Sequence, residues 1–116
     1  MMKIWIEGKE YFIETEGSML AENILECLPA VMDMRRNGSN EFIAELPVKP
    51  VNDGRHVSRV RPDEVYYYEG WNVLCLNYAE ADISPYYVSY VGSVRDGSFS
   101  EVLKNAGNNL EVRIER

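Results

Sequence analysis

The chain of 116 residues carries 12 Lys+Arg against 19 Asp+Glu, a formal net charge of −7, and is 46% apolar. That length holds one domain, residues 1–116, with enough apolar content for a packed core. The acidic balance excludes the basic footprint that nucleic-acid binding needs and disfavours anionic membrane surfaces. No apolar run reaches bilayer-spanning length, and Met1–Glu7 lacks the pattern of a secretion signal, so the expected setting is the cytoplasm.

Residues Lys3–Glu7 alternate, with Ile4 and Ile6 on one face, and Gly8-Lys9 turns the chain into a second strand over Glu10–Thr15. Ser18 is placed to cap a helix over Met19–Leu28, whose apolar stripe is Leu20, Ala21, Ile24, Leu25 and Leu28, and Pro29 stops it. Ala30–Arg36 and Glu41–Leu46 read as strands joined by Asn37-Gly38-Ser39-Asn40. Val48–Asp63 has no periodicity and reads as a long loop. Strands follow over Glu64–Tyr68, Val73–Tyr78 and Tyr86–Val94. Ser98-Phe99-Ser100-Glu101 reads as a capping box opening a second helix that ends near Gly107, and Asn109–Glu115 is a final strand. The expected order is ββαβββββαβ. Eight short strands in so small a chain must bury their edges, so the economical fold is a mainly β, closed eight-stranded barrel whose two helices cap its ends.

Cys27 and Cys75 have no second Cys or His at metal-ligand spacing and read as small buried thiols, so no metal is expected. His56 is the one histidine, and no nucleophile, Walker or dinucleotide motif accompanies it, so no cofactor is expected either.

Several stretches resemble a microbial family of cyclophilin-like proteins: Met2-Lys3-Ile4 through Gly8-Lys9-Glu10-Tyr11-Phe12, Leu25 to Pro29, Asn40-Glu41-Phe42 through Leu46-Pro47, and Val91-Gly92-Ser93-Val94. The strongest is Pro62-Asp63-Glu64-Val65-Tyr66-Tyr67-Tyr68 followed by Asn72-Val73-Leu74-Cys75-Leu76-Asn77-Tyr78. The resemblance implies the cyclophilin-like barrel. Two departures stand out: members often read Gly-Asp where this chain has Asp63-Glu64, and many carry a basic residue where it has Ser93. Cyclophilins isomerise the bond before proline, against a barrier of about 18–20 kcal/mol, with an arginine in a Phe-His-Arg motif as donor to the prolyl nitrogen. Arg35 or Arg36 falls near that place. The Phe-His-Arg motif is absent, however, and the next strand reads Phe42-Ile43-Ala44-Glu45 in place of Gln-Gly-Gly-Asp.

Two constellations remain. Seven of the eight tyrosines lie between Tyr66 and Tyr90, and Trp71 stands in a turn where no core awaits it. Charge is uneven: residues 1–34, 35–61 and 62–116 carry net −5, +3 and −5, with Arg35, Arg36, Lys49, Arg55, Arg59 and Arg61 in the middle segment. Arginines bind carboxylates and phosphates bidentately, although in an acidic chain they also pair internally. The expectation is a non-catalytic domain binding a peptide or small anionic ligand at one cleft made by Arg35, Arg36, Phe42, Arg55, His56, Tyr66, Tyr68, Trp71, Tyr78 and Tyr87. The alternatives are a divergent prolyl isomerase using Arg35 or Arg36, and a homodimer or larger homo-oligomer with an aromatic interface.

Overall fold

The computed structural model describes all of residues 1–116. Its strands are β1 (Met2–Ile6), β2 (Lys9–Thr15), β3 (Ala30–Asn37), β4 (Glu41–Glu45), β5 (His56–Val57), β6 (Arg59–Val60), β7 (Glu64–Tyr68), β8 (Val73–Asn77), β9 (Ala81–Asp82), β10 (Val88–Val94) and β11 (Asn109–Glu115). Helices α1 (Met19–Glu26) and α2 (Ser98–Asn105) interrupt them. Eight strands pair in the order β2-β1-β11-β3-β4-β8-β7-β10, and β10 pairs back onto β2, which closes the barrel. Closure needs Gly92, where the β7–β10 register shifts. A Cβ there would meet the Glu14 carbonyl oxygen at 2.4 Å, so only glycine lets the two strands come together.

The helices plug opposite ends, as their apolar stripes predict. Leu20, Ala21, Ile24 and Leu25 of α1 and Phe99 and Leu103 of α2 join one core of 26 buried residues inside the barrel. Ser18 caps α1 through Ala21 N at 3.1 Å. The second cap differs from expectation. α2 begins at Ser98, one residue early, so the serine cannot act as N-cap. Asp96 accepts from Ser98 N at 3.0 Å instead, and Asp63 Oδ1 accepts from Ser100 N at 3.1 Å. Asp63 has φ +66°, a left-handed conformation that Asp tolerates and Gly prefers.

The Val48–Asp63 segment is built rather than structureless. Asp53 accepts from Leu20 N and Met19 N at 2.9 and 3.1 Å, fixing the segment to the start of α1, and these bonds hold its carboxyl below the usual range. β5 then pairs with the first residues of β10, whose later residues pair with β2. β6 pairs with β9 in a separate two-stranded ribbon. β10 starts at Val88, two residues later than the sequence pattern indicates, because Ile83–Tyr86 forms a turn closed by Tyr86 N donating to the Ile83 carbonyl at 2.9 Å. The ribbon and this turn pack on the outside of the barrel, over a second cluster of Ile43, Val60, Tyr66, Val73, Cys75 and Val88. Cys27 and Cys75 are both free thiols. No helix is long and apolar enough to cross a membrane.

Candidate functional site

The β7–β8 connection is held from two sides. Asn72, at φ +53°, accepts from the buried Tyr67 hydroxyl at 2.6 Å and donates to the Val48 carbonyl at 3.0 Å. The Tyr68 ring folds back over Gly70, where a Cβ would meet the ring at 2.9 Å. This geometry projects Trp71 outward, 54% exposed, with its ring edge-on to Tyr68 at 5.4 Å. Tyr86, 64% exposed, stands on the facing turn, where Ser58 donates to its carbonyl at 3.0 Å.

Three hollows meet at this turn. A groove of ≈ 530 Å³ runs between the Tyr68–Trp71 pair and Tyr86, over Val73 and Val88, to the β3–β4 turn and Glu41. A smaller cavity of ≈ 290 Å³ lies behind Tyr68 and Tyr86, lined also by Tyr87, Ser89 and Asn52. Asn52 Oδ1 is buried there without a hydrogen-bond partner, an acceptor that a ligand N–H or O–H would satisfy. On the other side of Trp71 an open hollow holds Arg35, Lys49, Glu45 and Glu69.

Glu41 is half-buried, and its carboxylate accepts from Asn37 Nδ2 at 2.7 Å. Burial pushes its carboxyl above the ordinary range, partly opposed by the hydrogen bond from Asn37 and the nearby Cys75 thiol. Burial and the neighbouring Glu41 in turn push the Cys75 thiol far up, so it stays protonated.

The expected cleft is therefore dispersed, and its residues fall into four places. Tyr68 and Trp71 line the groove, and Arg35 adjoins it on the outer face of β3. Arg55 and His56 sit to one side, Arg55 over the Tyr90 ring at 4.5 Å and 3.8 Å from Glu16, His56 stacked on Tyr87 at 4.3 Å. Tyr66 is buried under the ribbon. Its hydroxyl donates to Glu64 and accepts from Arg61 N, and burial raises its pKa far above the usual tyrosine value. Arg36, Phe42 and Tyr78 lie together at the α2 end of the barrel, turned inward and away from the groove. There Arg36 donates to Tyr78 Oη and the Ala106 carbonyl at 2.6 Å each and to Asn108 Oδ1 at 3.2 Å, with its guanidinium 4.7 Å from the Phe42 ring. Its fork is thus engaged with the Tyr78 hydroxyl and with free carbonyls at the C-terminus of α2, a structural role at that end of the barrel. Of the groove's lining the sequence reading named Tyr68 and Trp71 only; the most consequential residues it missed are Tyr86 and Glu41. Pro85, which ends any strand preceding it, was the available signal for Tyr86. For Glu41 there was none.

The molecule is thus a small closed barrel, plugged by a helix at each end, with one aromatic groove on its outer wall. The chain belongs to the cyclophilin-like family, whose model matches residues 4–115. Among solved structures it is similar to the hypothetical protein AF2241 from Archaeoglobus fulgidus, with a TM-score of 0.68 and 22% identity over 99% of this chain and 92% of that one. It is also similar to McbB, solved in complex with tryptophan, with a TM-score of 0.74 and 15% identity over 100% of this chain but only 44% of McbB. At these identities the likeness is one of fold. No curated protein matches the chain in sequence.

Proposed function

We propose that this is a non-catalytic binding domain for a small molecule or peptide. An aromatic or apolar group of the ligand enters the groove between Trp71 and Tyr86, and an anionic group is met by Arg35 and Lys49 beyond Trp71. The observation that carries this reading is the gathering of exposed aromatic rings at one concave place. Trp71 and Tyr86 are more than half exposed and both line the groove, with the Tyr68 ring edge-on to Trp71. Exposed rings cost solvation free energy, and a concave arrangement of them is the usual form of a ligand site. Arg35 and Lys49 support the anionic half because neither forms an ion pair, whereas Arg55 and Arg59 pair with Glu16, Glu80 and Asp82. McbB, which shares this fold over 44% of its length, was solved in complex with tryptophan, itself an aromatic ligand.

The test is calorimetric titration with 3-phenylpropionate. Saturable binding is expected, at least about tenfold weaker in Trp71→Ala, and weaker again in Arg35→Ala. Binding unaffected by Trp71→Ala overturns the reading. So does a Trp71 fluorescence spectrum that shifts with protein concentration in the absence of ligand, which would make the aromatic face a contact between copies.

A further inference from the structure

The groove holds one charged group. Its lining is Tyr68, Trp71, Val73, Ile83, Tyr86 and Val88, with the uncharged β3–β4 turn closing one end and Glu41 set beside that turn. What faces the carboxylate is neutral on every side: Asn37 from β3, the protonated Cys75 from β8, and apolar or aromatic side chains across the groove. None of the chain's ion pairs uses Glu41. A half-buried carboxylate is ordinarily compensated by a cation, because its desolvation is otherwise unopposed. Here the protein supplies one amide hydrogen bond, from Asn37, and leaves the rest of the anion facing a groove walled by aromatic rings. Aromatic faces are themselves attractive to cations.

We propose that Glu41 is the counterion for a ligand ammonium group, so that the groove takes a small arylalkylamine with its ring against Trp71 and Tyr86 and its protonated nitrogen on the Glu41 carboxylate. The volume of ≈ 530 Å³ is that of a small-molecule site. A carboxylate–ammonium hydrogen bond is charge-assisted at both ends, about twice as strong as a neutral one. This inference rests on the groove being the ligand site, and it adds the sign of the charge that the groove itself selects. The anionic position at Arg35 and Lys49 lies on the far side of Trp71, so one ligand can carry both groups.

The test uses three probes with the same ring: 2-phenylethylamine, 2-phenylethanol and 3-phenylpropionate. None absorbs where tryptophan is excited, so in a Trp5→Phe background Trp71 fluorescence reports each directly. The amine is expected to bind at least about tenfold more tightly than the alcohol. That preference should vanish in Glu41→Gln, which keeps an acceptor for Asn37 Nδ2 and so preserves the local fold. Equal affinity for amine and alcohol, or a preference that survives Glu41→Gln, overturns the role of Glu41 while binding of phenylpropionate leaves the groove reading intact. Failure of all three probes to perturb Trp71 overturns both.

Discussion

The barrel has two unlike outer walls. Over β2, β1, β11 and β3 burial alternates strictly, with Ile4, Ile6, Val112 and Ile114 inside and Lys3, Trp5, Arg113 and Val31 outside. Over β4, β8, β7 and β10 both faces are apolar. β8 is buried at every residue from Val73 to Asn77, and Ile43, Tyr66 and Cys75 point outward yet are almost fully buried. An alternating strand meets water on one side, whereas a continuously apolar one needs a layer on each. The β6–β9 ribbon and the Ile83–Tyr86 turn provide that second layer, but only over part of the wall. Where the cover ends, Trp71 and Tyr86 stand exposed and the groove opens. The groove thus lies at the margin of a covering layer and not within the barrel.

The sharpest way to break this comparison is to truncate one outward side chain on each wall. Ile43 is 1% exposed and Val31 is 63% exposed. Ile43→Ala should cost about 2–5 kcal/mol, the range for a core truncation. Val31→Ala should stay within about 0.5 kcal/mol, as exposed sites do. Urea unfolding measures both. Equal and small effects would mean that the ribbon rests on the wall without packing against it.

The next effect separates neighbours on β3. Arg36 turns into the barrel end against α2, and Arg35 faces the groove's margin. Arg36→Ala should destabilise by about 2–3 kcal/mol, through lost hydrogen bonds from a charged donor to carbonyls at the end of α2. Arg35→Ala should leave stability within about 0.5 kcal/mol. In a prolyl isomerase assay Arg36→Ala should change nothing beyond what its stability explains. A specific loss of catalysed isomerisation in either variant would restore the enzyme reading.

The two walls also differed in how much of them could be read in advance. The eight barrel strands were legible because period-two patterns and turn residues mark them locally. β5, β6 and β9 were not, since each is two residues long and is set by what it covers: Val60 and Ala81 are ordered by packing on Tyr66 and Cys75, a contact between segments far apart in the chain. Within the groove, Trp71 was legible because a tryptophan in a turn has no local structural reason. The inward turn of Arg36 was encoded too, for it shares parity with the buried Met32 and Met34 on β3, but charge content drew it into the expected cleft. Glu41 was one acid among nineteen. Only tertiary burial distinguishes it.

That burial gives the smallest effect. The folded-state pKa of Glu41 lies above the ordinary value, so the folded protein holds this proton more tightly than the unfolded chain does. Stability from this group is fully present below the ordinary glutamate pKa of about 4.3, and is lost as pH rises through the higher folded value. Glu41→Gln should therefore melt at a higher temperature than the parent at pH 7, by a margin that closes as pH falls and vanishes once both states are protonated. Neither neighbour confuses the reading, because Asn37 does not titrate and Cys75 stays protonated throughout. A parent protein as stable as the variant at pH 7 would show the carboxylate to be adequately solvated, and would remove the reason for a ligand cation. A variant that is more stable but has lost its preference for the amine would show an ionised carboxylate kept at a cost to the fold for what it binds.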